Sequence, residues 1–284
     1  MRVLLLFPPL LAALLLAAGC GKDATGPEQR DEIALSGFLY VGETVNNGNA
    51  ILICRTMPVD QYYQFENAVI ENALVTLKKR GDAKVDTLTR VRPGYYSNPA
   101  VLIDSLTTYD LLVVIPGRPP LTASTTTPRP IRVLSGPREM PATMRYSVMP
   151  DSFPLLLQVD DPEQILLMDV YCQEDYSNAR YINPFGNQDY PRNYQEYGGD
   201  GPPRHISAYF RAKNLDRLGD TYRLSWYADM LVFYGRYEVG LYAIDDNYYN
   251  YLYRDHPELQ GGVTGGIGVF GSACRKEYHI LVAE

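Results

Sequence analysis

Along most of this chain apolar and polar residues alternate in short runs, and turn residues close each run after about 8 to 12 positions, the pattern of a half-buried antiparallel sheet. Ile33 to Val41 predicts a first strand, and Gln64 to Lys78 a second whose Val69, Ala73, Val75 and Leu77 share a face. Arg80-Gly81-Asp82 reads as a hairpin turn into Val85 to Val91, and Pro93-Gly94-Tyr95 as the next turn, followed by strands at Val101 to Leu106 and Tyr109 to Ile115. The Thr/Pro stretch Ser124 to Pro130 reads as an extended connection, and Gly136 to Pro150 is irregular. Strands resume at Phe153 to Val159, Ile165 to Tyr171, Ile206 to Lys213, Thr221 to Ala228 and Tyr237 to Ile244. One helix interrupts them: Asp245 or Asp246 can cap it, Tyr248, Tyr251 and Leu252 form a face, and Pro257 stops it. A glycine-rich turn, Gly261 to Gly268, then leads to a last strand at Tyr278 to Val282.

The first 19 residues do not fit this pattern. Arg2 is followed by an apolar stretch, Val3 to Leu16, and small residues precede Cys20. This is the layout of a secretory leader ending in a lipobox, which makes Cys20 the lipidated first residue of the mature chain. Pro8-Pro9 and the short apolar length disfavour a retained membrane span, which needs ~20 apolar residues. Residues 20–32 are polar, lack periodicity and read as a flexible tether. Gly21-Lys22-Asp23 is similar to the lysine-and-acid tag that sends some lipoproteins to the outer face of the outer membrane, and either face stays open.

Removing the leader from 284 residues leaves 265, enough for two domains, with a net charge of −8. That acidic balance argues against a nucleic-acid partner, which would require a basic surface. Three cysteines remain, Cys54, Cys172 and Cys274, and all three pairings stay open. A Cys172–Cys274 disulfide is preferred because both belong to the C-terminal half.

Ile70-Glu71-Asn72-Ala73-Leu74-Val75-Thr76-Leu77, then Gly94-Tyr95-Tyr96, then Thr108-Tyr109-Asp110-Leu111-Leu112-Val113 follow the order of transthyretin-like and carboxypeptidase-regulatory-like sandwich domains. Together with the lipobox, the Asp-Asn-Tyr-Tyr-Asn-Tyr-Leu helix and the closing Gly262-Val263-Thr264-Gly265-Gly266-Ile267-Gly268-Val269-Phe270-Gly271, the chain resembles a lipoprotein family catalogued as a domain of unknown function (DUF 4249). The resemblance implies a cell-envelope accessory role, often beside TonB-dependent outer-membrane transporters, and brings no catalytic residues. The expected fold class is therefore mainly β: two antiparallel β-sandwich domains, Ig-like or transthyretin-like, with one short helix in the C-terminal half. The expected organisation is a leader at 1–19, a tether at 20–32, sandwiches at 33–133 and 134–284, and an insertion at 173–204 in the second.

Local chemistry is sparse. Gly266-Ile267-Gly268-Val269-Phe270-Gly271 matches a dinucleotide-binding spacing, but too few residues follow for the helix and ribose-binding acid that the motif requires. His205, His256 and His279 are scattered, without the spacing of a zinc motif, and no GxSxG elbow is present. Asp216, Asp220, Asp229, Asp245 and Asp246 do not form an EF-hand loop. No metal or cofactor is expected.

The insertion interleaves Tyr181, Tyr190, Tyr194 and Tyr197 with Asn187 and Arg192, a mixture that can stack on and hydrogen-bond a glycan or a protein, or simply cover the adjacent sandwich. The leading expectation is a non-enzymatic envelope lipoprotein that binds or scaffolds an outer-membrane partner such as a TonB-dependent transporter. A surface glycan-binding lipoprotein is the alternative, and an envelope hydrolase whose acids meet only in the fold is the third.

Overall fold

The computed structural model describes residues 31–57, 62–135, 143–177, 179–182 and 203–284. The leader, Cys20 and most of the tether lie outside the described residues, as do Asn187, Tyr190, Arg192, Tyr194 and Tyr197.

The first part of the chain forms β1 (Ile33–Tyr40), β2 (Thr44–Val45), β3 (Ile51–Arg55), a helical turn α1 (Phe65–Ala68), β4 (Leu74–Lys79), β5 (Asp86–Arg92), β6 (Tyr95–Leu102), β7 (Thr108–Val114) and β8 (Leu121–Thr126). The second part forms β9 (Arg132–Ser135), β10 (Thr143–Arg145), β11 (Ser152–Gln158), β12 (Ile165–Cys172), β13 (Arg180–Tyr181), β14 (His205–Arg211), β15 (Asp216–Leu218) and β16 (Thr221–Tyr227). It ends with β17 (Phe233–Ile244), helix α2 (Asp246–Tyr253), β18 (Val263–Thr264) and β19 (Ile267–Ala283).

The protein is mainly β. One long sheet, whose main path runs β14-β12-β17-β19-β1-β3-β6-β5-β4-β7-β8-β18, curls on itself, and a second sheet has the order β15-β16-β11-β9. Two large hydrophobic clusters result. One gathers Leu35, Leu39, Ile53, Val75, Leu111 and Phe270, and the other Leu155, Leu166, Met168, Phe233, Tyr237 and Val282. Phe270, far beyond the predicted boundary at residue 134, is buried in the first cluster, because β19 passes through both.

β19 also departs from the expected all-antiparallel pairing. Its first half runs parallel to β1, from Ala34 opposite Ile267 to Tyr40 opposite Ala273. Its second half runs antiparallel to β17, from Ile244 opposite Ala273 to Gly235 opposite Val282. Ala273 is thus flanked by Tyr40 on one edge and Ile244 on the other, and the pairing passes from one core to the next at this residue.

The glycine-rich segment expected to be a turn lies largely inside this strand, and its glycines are needed where backbone and rings come close. A Cβ on Gly268 would stand 2.0 Å from the Leu35 carbonyl oxygen, and its φ of +113° is one that L side chains rarely adopt. At Gly271 the neighbours are the Phe38 ring, at 3.2 Å, and Tyr248, which packs on it.

Other expectations are corrected by competing hydrogen bonds. The predicted strand Gln64 to Lys78 is broken into α1 and β4. The buried Tyr96 hydroxyl donates to the Ile70 carbonyl (2.9 Å) and accepts from the Ala73 N–H (3.1 Å), so the intervening loop is satisfied without a ladder. The predicted strand Val101 to Leu106 shifts to β6, since Leu106 adopts a φ of +53°, outside strand geometry. Ser124 to Thr126, predicted as connection, continue β8, where Ser124, Thr125 and Thr126 pair with Asp110, Tyr109 and Thr108.

The preferred Cys172–Cys274 disulfide is also overturned: all three cysteines are free. Cys172 lies opposite Tyr237 on β17, whereas Cys274 lies opposite Ala243 on the other edge of the same strand. Six strand positions, roughly 20 Å, separate them along β17, far beyond the 7 Å Cα limit for a bridge.

The glycine pattern yields a prediction. Gly268→Ala should lower unfolding free energy by more than ~2 kcal/mol, through strain and the clash with β1. Gly271→Ala, which meets only side chains near contact distance, should cost less. Urea denaturation of both variants checks the order.

Candidate functional site at the seam between the cores

Because Ile244 ends β17 beside Ala273, the next residue, Asp245, falls at the seam. Its carboxylate closes three structures at once. Oδ1 accepts the N–H of Tyr248, capping α2, and the N–H of Ser272 on β19, both at 3.0 Å. Oδ2 accepts the hydroxyl of Thr125 on β8 at 2.6 Å. Of the two aspartates able to cap the helix, Asp245 does so, from an extended backbone just outside the first turn. Burial pushes the Asp245 carboxyl up to about 6, against the opposing effect of its hydrogen bonds from Thr125, Ser272 and Tyr248.

Beside it lies an open cleft of about 530 Å³ between the two cores. Ser124 to Arg129 form one wall, Asp161 to Ile165 with Arg211 another, and Asp245 to Asn247 the third. Much of its polar lining is already engaged. Asn247 Nδ2 donates to the carbonyls of Ser124 and Phe270, Gln164 Nε2 to those of Ile165 and Ile244, and Arg129 pairs with Asp160. Lys213 holds the Glu163 carboxyl below its ordinary value by a 2.8 Å hydrogen bond.

The outer face of the sheet β14-β12-β17-β19 carries a cluster of tyrosines. Ile165, Leu167, Ile244 and Ala273 are roofed by Tyr40, Tyr242, Tyr248, Tyr249 and Tyr253. The helix therefore packs with Tyr248, Tyr249 and Tyr253, while Leu252, expected on the buried face, is exposed. Gly240 leaves room for the Tyr242 ring to lie across β17, since a Cβ there would stand 2.2 Å from the ring. Burial pushes the Tyr242 and Tyr248 hydroxyls well above the ordinary phenol value. Arg275 lies over the Tyr40 ring at 4.2 Å and is held by Glu43 (2.7 Å) and Glu277 (2.9 Å). Tyr209 sits against Tyr249 and Tyr253, with centroids 4.9 and 4.5 Å away. Further along, His205 bonds Asp169 at 2.6 Å and meets Tyr171 edge-on.

Sequence reasoning placed the surface elsewhere. Tyr181, expected on a ligand-binding surface, is 4% exposed and packs on Phe233 at 4.6 Å, in the second core. β13 turns it inward beside β17, a two-residue pairing that no pattern in the insertion announced. Asn187, Tyr190, Arg192, Tyr194, Tyr197 and Cys20 lie outside the described residues. Missed altogether were Thr125 and Ser272, ordinary hydroxyls whose meeting depends on a contact across 147 positions. Among the described residues no group of three or more His, Cys, Asp or Glu could hold a metal ion. Among the same residues no helix is long and apolar enough to cross a membrane.

Two measurements follow. The folded-state value of Asp245 lies above that of an unfolded aspartate, ~3.9, so the folded protein binds more protons between them. Its contribution is therefore present below pH ~4 and lost as pH rises through about 6, by at most ~3 kcal/mol. Asp245→Asn keeps a cap and removes the titration, so the difference in urea stability between wild type and variant should change across that window and flatten above pH 7. Tyr181→Ala should destabilise by ~3 kcal/mol or more, as a truncated core aromatic, where a solvent-facing tyrosine would cost almost nothing.

No curated protein matches the chain. Among solved structures, the crystal structure of chicken CNTN1 FN1-FN3 domains is 12% identical with a TM-score of 0.26, over 89% of this chain and 67% of that one. Escherichia coli alpha-2-macroglobulin activated by porcine elastase is 14% identical with a TM-score of 0.22, over 88% of this chain and 23% of that one. Neither score is high enough to bear on the fold. The model of a domain of unknown function, DUF4249, matches residues 27–278, which contain the first core, most of the second, the seam and the glycine-rich start of β19; the chain belongs to the DUF4249 family.

Proposed function

We propose that this chain is a cell-envelope lipoprotein, anchored in the outer membrane through Cys20, that binds or scaffolds an outer-membrane partner and catalyses no reaction. In this reading the two hydrophobic clusters are the cores of two sandwich units, Ig-like or transthyretin-like, that β19 holds in line. A TonB-dependent transporter is the partner class that the family resemblance favours.

The observation that supports the reading best is the polarity of the molecule along β19. Asp31, where the described chain begins, forms an ion pair with Arg118 at the end of β19 near Ile267. Tyr171 and His205 pair with each other on β12 and β14, and Tyr171 lies opposite Glu238, itself opposite His279. Twelve strand positions separate Ile267 from His279, roughly 40 Å. A tether leaving Asp31 thus holds one end of the body toward the bilayer and presents the other away from it. That far end carries Tyr171, His205 and Arg204, whose guanidinium lies over the Tyr171 and Tyr176 rings at 5.7 and 4.6 Å. Tyrosine and arginine are the side chains that most often anchor protein interfaces, since they add contact area and hydrogen bonds together.

Fractionation and pull-down test the reading. Wild type should sediment with membranes and Cys20→Ala should be released; retention of the variant overturns the anchor. From native membranes the wild type should recover a reproducible outer-membrane protein, at least tenfold more than Tyr171→Ala/His205→Ala does. Equal recovery moves the docking surface elsewhere, and recovery of nothing overturns the binding role.

A further inference from the structure

β14 is an edge strand. Among the described residues it pairs only with β12, in an unbroken antiparallel register from Ile165 opposite Arg211 to Tyr171 opposite His205. Two flanking bonds fix which of its backbone groups are used: Cys172 N–H donates to Arg204 O at 2.8 Å, and Ala212 N–H to Gln164 O at 3.0 Å. Hydrogen-bonded pairs alternate along an antiparallel ladder, so Ile206, Ala208 and Phe210 direct their N–H and C=O groups at β12. His205, Ser207, Tyr209 and Arg211 direct theirs outward, and no described group meets them.

Edge strands in natural proteins are normally blunted by a proline, a bulge or an inward charge. β14 has none of these: its sequence is HISAYFR, and its register with β12 is without a shift. Its inward side chains are also poorly covered. Leu166, Met168 and Val170 on β12 are fully buried, whereas Ile206, Ala208 and Phe210, opposite them, remain half-exposed.

We propose that this edge pairs with the β14 edge of a second copy, in an antiparallel ladder about a two-fold axis at Ala208. The two constraints, outward-facing groups and two-fold symmetry, are met together in this register. Ser207 then exchanges hydrogen bonds with Tyr209 of the other copy, and His205 with Arg211, which uses every outward-facing residue of β14. On the inward side Ile206 faces Phe210, an apolar pair that completes the missing cover. Ala208 faces its own counterpart at a non-hydrogen-bonded position, where strands approach most closely, and its small side chain fits there. Isologous pairing of this kind closes on itself and leaves no β14 edge free to propagate. A seven-residue ladder buries less than a large obligate interface, so the dimer is expected to be reversible. The inference does not depend on the membrane-anchor reading.

Cross-linking tests it. In the full chain in the expressing cell, Ala208→Cys should form a disulfide-linked homodimer on mild oxidation, well above the level that the native cysteines give in wild type. Leu218→Cys, on the exposed edge of the other sheet, should not exceed that level. Ser207→Pro removes an outward N–H that β12 does not use, so the fold is kept, and adding it to Ala208→Cys should reduce the homodimer at least fivefold. Circular dichroism and urea midpoint check that the double variant is folded. Homodimer at the wild-type level, homodimer unaffected by Ser207→Pro, or trapping of a different protein instead of a second copy would each overturn the proposal.

Discussion

The close backbone approach of β19 to β1 is the constraint on which the rest depends. Parallel pairing over Ile267 to Ala273 brings the Leu35 carbonyl within 2.0 Å of where a side chain at Gly268 would begin. Only glycine permits the contact. Once it is made, Phe270 enters the first core and Gly271 leaves space for Phe38 and Tyr248. The same strand then continues, without a break, as partner of β17 in the second core. Two hydrophobic clusters thereby share one element, so neither can shift along the molecular axis without breaking a ladder.

Asp245 belongs to the same logic. At the point where β19 changes partners, backbone N–H groups from the helix start and from Ser272 would be left at a partly buried seam. A single carboxylate satisfies both and takes the Thr125 hydroxyl as well. Its raised proton affinity is the consequence of placing a charge where burial outweighs those bonds. The cleft next to it lies between the end of β8 and the start of β12, with the first turn of α2 as its third wall.

The tyrosines show how far sequence could be read. A phenol ring packs while its hydroxyl stays near water, so tyrosine suits half-buried sheet faces such as the one over Ile165, Leu167, Ile244 and Ala273. Which tyrosines lie where did not follow. Tyr181, in a stretch without aliphatic alternation, is core because a two-residue pairing with β17 turns it inward. Tyr209, in an ordinary strand, is 43% exposed because nothing described covers the β14 edge. The helix was legible from its aspartate cap, but it ends at Tyr253, short of Pro257, and its packing face was set by the rings it had to cover, not by Leu252.

Apart from the motifs that carry the family resemblance, what the sequence determined by itself was local: the mainly β character, most strand positions and the helix with an aspartate cap. These follow from period, turn chemistry and φ preference, which act over a few residues. Tertiary structure alone decided that β19 serves two cores, that Cys172 and Cys274 lie too far apart to join, that Thr125 and Ser272 meet Asp245, and that β14, among the described residues, pairs only with β12. Each depends on which distant strand becomes a neighbour. Pairing partners are selected by the total burial and hydrogen bonding of the folded chain, and that selection leaves no mark in the spacing of nearby residues.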